Sequence, residues 1–266
     1  MTVLQALILG VVQGVAEFLP ISSSGHLIVL QRVFGIQEPK MTFDIVAHIG
    51  SLTAVIFVFR RDIAALIKKP FQKMTGLLIV GTLPAVAAGF LLKDVIESTF
   101  RQGLPLAAAF ALTGLMLWAA DYIKPAGGVY KKENDITYLD ALVVGGMQAV
   151  GIPPGVSRSG ATIAGGLLRG LDRETAARFS FLLSIIAITG AGVLQAADIA
   201  RDNTAVTAAD AAPMLVGFFA SALVGYLAIR LLLNLIKACR LRYFAYYTLT
   251  LAVCIAADTL FTRYFF

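Results

Sequence analysis

The chain has 266 residues, 58% of them hydrophobic and 14% charged, with a formal net charge of +6. Soluble domains carry about 25% charged residues, so a water-soluble globular enzyme is excluded, and so is a nucleic-acid reading of the positive charge. A mean hydropathy of +0.82 points instead to an all-α polytopic membrane protein whose basic residues mark its cytoplasmic loops.

Met1 leads straight into an apolar stretch with no basic n-region, so no cleavable signal peptide is expected. Residues 3–35 are apolar but broken by EFLPISSSGH. The break predicts two half-helices joined by a polar tip, a re-entrant hairpin. Irregular backbone persists at membrane depth only where protein buries it or where it lines a cavity. Spans are predicted over 41–59, 75–93 and 104–123, against about twenty residues per crossing. Between the first two, RRDIAALIKKPFQK (60–73) is a basic amphipathic segment suited to lying along headgroups. A second broken stretch, 138–170, contains GIPPGVSRSGAT and predicts a second hairpin, followed by spans over 176–198, 212–233 and 244–262. Cys239 and Cys254 match no disulfide or metal spacing and read as packing residues.

The two hairpins are copies. A gapless shift of 135 positions lays residues 2–28 on 137–163 with eleven of twenty-seven identical, among them Gly10/Gly145, Gln13/Gln148, Ser22/Ser157, Ser24/Ser159 and Gly25/Gly160. Apolar composition does not readily supply Gly, Gln and Ser in register. The chain is therefore expected to be one integral-membrane domain, 1–266, built of two repeats, about 1–124 and 136–266. Each repeat is one hairpin plus three spans. Three is odd, so the second copy enters from the opposite face. Arg60, Arg61, Lys68, Lys69, Lys73, Lys124, Lys131, Lys132, Arg169, Arg173, Lys237, Arg240 and Arg242 all fall on one side; Lys40, Lys93, Arg101, Arg201 and Arg263 fall on the other. The richer side is cytoplasmic, which leaves both termini outside. The hairpin tips are expected to meet near mid-membrane, where inverted repeats place their sites.

Few polar residues lie at membrane depth. Ser22, Ser23, Ser24 and Gly25 open a half-helix, and read either as a capping turn or as an anion cradle of N–H groups, hydroxyls and helix dipole. His26, one of two histidines in the chain, is either structural or a general base or nucleophile. Gln13 and Glu17 share a helical face. Glu17 is either a structural partner of Arg158 or a divalent-cation ligand, with Gln13 adding a neutral oxygen. Arg158, flanked by Ser157 and Ser159 and followed by Gly160 and Thr162, either joins the repeats through an ion pair or grips phosphate oxygens with its planar fork. Asp44 and His48, four apart, are either supporting or additional ligands, or a structural pair.

These residues resemble the undecaprenyl-diphosphate phosphatase family, associated with bacitracin resistance. The resemblance covers essentially the whole chain and rests on QGVAEFLPISSSGH (13–26), FDIVAHIGS (43–51) and PGVSRSGATIAGG (154–166). It implies removal of the terminal phosphate from C55 polyprenyl diphosphate, recycling the carrier for peptidoglycan and other envelope polymers. It also implies dependence on a divalent cation, magnesium or calcium, and an active site open to the outer face of the bacterial plasma (inner) membrane. The family's acidic motif falls on Gln13 and Glu17, its serine motif on Pro20, Ser22, Ser23, Ser24, Gly25 and His26, and its arginine motif on Pro154, Gly155, Ser157, Arg158, Ser159, Gly160 and Thr162. Many members carry Glu at the position of Gln13, so Glu17 is left as the main anionic ligand. The type-2 phosphatidic acid phosphatases expect SR, five residues, then His; here Arg158 is followed by SGATI and Ala164, which disfavours them.

The expected chemistry has Arg158 and the Ser157–Thr162 turn holding the diphosphate, with Glu17 and Gln13 holding the cation. Ser23 is the preferred nucleophile with His26 as its base; direct attack by His26, or by a water it activates, are the other routes. The expected partners are the lipid substrate and bilayer lipid, with a second copy of the chain as a candidate homodimer partner. The rival function is a polyprenyl-phosphate transporter using the same site, since broken half-helices in inverted repeats are also a transporter signature.

Overall fold

The computed structural model describes all residues except 37–40, 93–94, 96–98, 100–101, 124–127, 202–207 and 237–239. Lys40, Lys93, Arg101, Lys124, Lys237 and Cys239 therefore lie outside the described residues. Eleven α-helices and no strand are present among the described residues: α1 (Val3–Phe18), α2 (Ser23–Val33), α3 (Met41–Val58), α4 (Arg60–Lys68), α5 (Lys73–Leu91), α6 (Gly103–Asp121), α7 (Tyr138–Val150), α8 (Arg158–Leu168), α9 (Arg173–Arg201), α10 (Ala208–Leu235) and α11 (Arg242–Ala257).

Five helices, α5, α6, α9, α10 and α11, are long and apolar enough to cross a membrane, and α3 with α4 makes a sixth segment, bent by 75°. The protein is a polytopic membrane protein. No residue of α4 is buried, and Phe71 just beyond it is fully exposed, which suits the basic segment to a surface position. The broken stretches behave differently. Helices α2 and α8 have 11 residues each, about 16 Å at 1.5 Å per residue, roughly half of the hydrocarbon thickness. Neither crosses.

The 135-residue shift reappears in the backbone. Ser23–Val33 maps onto Arg158–Leu168 end for end. Thr2 and Thr137 each cap their helix in a reciprocal box, with Gln5 and Asp140, the third residues of α1 and α7, as partners. Ser22 and Ser157 each accept the N–H three residues on, from Gly25 and Gly160. Packing follows the same exchange. Helix α1 of the first half lies on α10 of the second, α7 of the second half lies on α5 of the first, and α6 lies on its counterpart α11. Glycines permit the first two crossings: a Cβ on Gly10 would lie 2.6 Å from the Gly217 carbonyl oxygen, and one on Gly145 would run into the Gly81 backbone.

The main apolar core gathers Phe18, Phe59, Phe179 and Phe181 with Leu and Ile side chains from α5, α8, α9 and α10 and with Ala141 and Val144 of α7. Basic loops from distant parts of the chain converge at one end. Arg178 pairs with Asp62 at 2.8 Å, Arg173 with Asp121 at 2.8 Å, and Lys131 and Arg169 both reach the fully buried Asp140, at 3.0 and 2.7 Å.

Candidate active site

The site forms where α1 ends and where α2 and α8 begin. The N-termini of those two short helices, the positive ends of their dipoles, lie at the tips of the two hairpins. The tips are stitched together. Ser22 Oγ accepts the Gly155 N–H at 3.1 Å, and Ser159 Oγ donates to the Leu19 carbonyl at 3.1 Å. Thr113 on α6 accepts the Ser157 N–H at 2.9 Å and donates to the Gly155 carbonyl at 3.0 Å, which holds the second tip. A Cβ on Gly25 would strike the Phe110 ring and Gly155, so only glycine lets the tips close to this distance.

Glu17, 7% exposed, is the hub. Its Oε1 accepts from Arg158 Nη2 at 2.7 Å. Its Oε2 accepts from Ser23 Oγ at 2.5 Å and from Gln13 Nε2 at 2.9 Å, and His48 Nε2 stands 3.6 Å away. Ser23 and Arg158 are counterparts under the repeat shift and are the first residues of α2 and α8. One carboxylate therefore bonds the same position of both hairpins. Behind Gln13 a chain of hydroxyls continues: Gln13 Nε2 donates to Ser51 Oγ at 3.2 Å, which lies 2.8 Å from Ser221 Oγ on α10.

The predicted residues divide by what they touch. Gln13, Glu17, Ser23, Arg158 and His48 are brought together. Ser22, Ser157, Ser159 and Thr162 are also there, but their hydroxyls serve the protein itself: Thr162 Oγ1 donates to the Arg158 carbonyl at 2.8 Å and lies 2.6 Å from Ser180 Oγ. Gly25 and Gly160 supply the capped N–H groups, and Ser24 is half-buried with a hydroxyl that has no partner among the described residues. Asp44 supports from the rear, accepting from Gln31 Nε2 at 2.9 Å through its carboxylate and facing His48 Nδ1 at 2.7 Å through its carbonyl.

The expected pairing of Ser23 with His26 is not formed. His26 Nδ1 lies 2.6 Å from the Ser22 carbonyl oxygen and Nε2 lies 2.7 Å from the Tyr247 hydroxyl. Ser23 donates to Glu17 instead, because Ser22 adopts φ 70°, ψ 97°, a conformation L residues rarely take and one that turns Ser23 toward α1. Such strain is of the order of 1–3 kcal/mol and persists only where surrounding bonds over-determine it. Ser51 closes the FDIVAHIGS stretch but was not legible as a site residue, and Tyr247, Ser221, Thr113 and Ser180 lie in none of the motifs; Tyr247 is 221 positions from His26.

Two buried polar atoms at the hub, Arg158 Nη1 and Gln13 Oε1, have no partner among the described residues. The first is a donor fit for an anion and the second an acceptor fit for a cation. No group of three or more His, Cys, Asp or Glu side chains is arranged for a metal among the described residues. One carboxylate with one amide oxygen nevertheless suits magnesium, which keeps waters and takes substrate phosphates for its remaining positions.

A sequence model of the family described as "Bacitracin resistance protein BacA" matches residues 6–254. The chain is 46% identical over 251 residues to an undecaprenyl-diphosphatase of Carboxydothermus hydrogenoformans, covering 94% of this chain and 95% of the relative. It is 43% identical over 262 residues to undecaprenyl-diphosphatase 3 of Bacillus cereus, covering 98% and 99%. It is 42% identical to an undecaprenyl-diphosphatase of Methanosphaera stadtmanae, covering 92% and 94%. Those matches run through both hairpin tips and nearly every helix around them, so this chain belongs to the bacitracin resistance protein BacA family.

Proposed function

We propose that the protein hydrolyses undecaprenyl diphosphate to undecaprenyl phosphate and inorganic phosphate, recycling the lipid carrier for peptidoglycan and other envelope polymers. The observation that carries the reading is Glu17. It holds the Ser23 hydroxyl at 2.5 Å and the Arg158 guanidinium at 2.7 Å, which puts a base, a nucleophile and an anion grip on one carboxylate. Phosphoryl transfer needs positioning and charge neutralisation above all.

Arg158 uses its unpartnered Nη1 for the terminal phosphate, reinforced by the N-termini of α2 and α8. Ser23 Oγ attacks the terminal phosphorus as Glu17 takes its proton. The bond to the bridging oxygen breaks, and undecaprenyl phosphate leaves with the electron pair and takes the proton that Glu17 had accepted, which returns Glu17 to its carboxylate. Water then attacks phosphoserine, its proton passing to Glu17. Inorganic phosphate departs, and Glu17 returns the proton to Ser23. Direct attack by a water that Glu17 activates reaches the same products without the phosphoserine. A divalent cation would be held by Glu17 and Gln13 Oε1, and supplies neutralisation of the diphosphate charge.

The halves, about 1–124 and 136–266, form an inverted repeat, supported by the equal helix bounds, equal caps and exchanged packing partners. The converging basic loops favour a cytoplasmic position for their end of the bundle, so the site opens toward the outer side of a bacterial plasma membrane. No observation favours lipid transport.

The test uses purified protein in detergent with undecaprenyl diphosphate and magnesium, where transport has no meaning. Release of inorganic phosphate, lost on Ser23→Ala, is the expected result. No release from the unaltered protein would reject the reading. An acid-quenched mass shift on Ser23 separates the covalent route from direct attack by water.

A further inference from the structure

His26 is held on both ring nitrogens. Nδ1 faces the Ser22 carbonyl oxygen at 2.6 Å, and a carbonyl only accepts, so Nδ1 carries a proton. In the neutral ring Nε2 is then a lone pair in a buried place. The Tyr247 hydroxyl, 2.7 Å away, supplies the donor that such a lone pair needs. The same tyrosine lies parallel to the imidazole, with centroids 5.6 Å apart and planes 6° from each other, and Phe110 meets the ring edge-on at 5.3 Å. Neutral imidazole in water favours the other tautomer, with the proton on Nε2. Here that tautomer would set the Nδ1 lone pair against the carbonyl of Ser22, the residue with φ 70°.

The same carbonyl also accepts the His26 backbone N–H at 3.2 Å, while Ser22 Oγ accepts from Gly25 and Gly155. These bonds hold the strained turn, and the turn aims Ser23 at Glu17. We infer that Tyr247 is a positioning residue for the reaction: by holding His26 as the Nδ1–H tautomer it fixes the Ser22 backbone and with it the Ser23–Glu17 hydrogen bond. The inference rests on the reading of Ser23 and Glu17 as the reacting pair. It gives Tyr247 no contact with substrate and His26 no proton to transfer.

The chain has two histidines, so ¹⁵N-histidine labelling resolves each ring. Unaltered protein should show His26 protonated on Nδ1 alone. Tyr247→Phe keeps the stacked ring and removes only the hydroxyl. It should move the His26 signal toward the Nε2–H form and lower kcat for phosphate release by about tenfold, the order one hydrogen bond supports, with KM unchanged. His26→Asn keeps a side-chain N–H near Ser22 but has nothing for Tyr247 to reach. In that background Tyr247→Phe should have no further effect. The inference is overturned by a doubly protonated or Nε2–H ring in unaltered protein, by an unchanged tautomer or kcat in Tyr247→Phe, by a rise in KM instead, or by additive losses in the double variant. Normal turnover in Ser23→Ala would remove the reacting pair itself, whatever the histidine signals show.

Discussion

At the scale of single residues, the Glu17–Arg158 pair joins the two hairpins and also forms the proposed chemistry, and the two roles separate by experiment. Removing either partner leaves a buried charge uncompensated, of the order of 3–5 kcal/mol. Glu17→Ala and Arg158→Ala should each lower the melting temperature in detergent and reduce phosphate release by at least about 100-fold, the usual effect of losing one preorganised electrostatic contact. The double variant should recover much of the lost melting temperature and none of the activity. Recovery of both would make the pair purely structural. Gln13 offers a second test. Its Nε2 donates to Glu17 while its Oε1 has no partner. Gln13→Glu replaces that donor with a second carboxylate, so the two acids repel unless a cation lies between them. Magnesium should raise the melting temperature of Gln13→Glu by more than that of the unaltered protein. Equal shifts would place the cation elsewhere.

At the scale of elements, short helices and glycine crossings decide how closely the halves approach. Gly145 and Gly146 are adjacent on α7 but differ in surroundings. A Cβ at Gly145 would collide with the Gly81 backbone, whereas one at Gly146 would meet nothing within 4 Å. Gly145→Ala should therefore push α7 off α5 and destabilise by about 1–3 kcal/mol. Gly146→Ala should be neutral or stabilise by about 0.4–1 kcal/mol, because alanine narrows the unfolded ensemble. Thermal melts of the two variants side by side check the contrast; equal destabilisation would mean that the crossing is not packed as described. Capping was one of the two readings of the SSSG stretch, and Ser22 does cap α2. Thr2, Ser22, Thr137 and Ser157 precede their helices with the residue types that capping demands. The aim of Ser23 was not readable, since nothing in SSSGH announces a positive φ at Ser22.

At the scale of the whole molecule, the proposed topology predicts which surfaces a membrane-impermeant reagent reaches. Ile67 on the basic side is 74% exposed, and Tyr264 near the C-terminus is 80% exposed. In a background lacking Cys239 and Cys254, Tyr264→Cys should be labelled by an impermeant maleimide in intact cells, and Ile67→Cys only after permeabilisation. Labelling of both in intact cells, or the reverse order, would contradict an inverted repeat with outward termini. The clustering of Arg173, Arg178, Lys131 and Arg169 around Asp121, Asp62 and Asp140 is the observation on which the proposed orientation rests.

The sequence by itself determined the solvent, the helix pattern and the repeat. Hydropathy, Pro–Gly–Ser breaks and spacing are local properties, and the 135-residue shift is arithmetic on the chain. It also singled out Glu17 and Arg158 as rare charges at membrane depth. Only the tertiary structure decided what each of them touches. Packing brought Tyr247 from α11 onto His26 and so took His26 away from Ser23, and it turned Ser22 and Ser159 into ties between the hairpins and Thr162 into a tie to α9. A hydroxyl bonds whichever group the fold places beside it, and for Ser22 and Ser159 that neighbour lies 133 and 140 residues away along the chain.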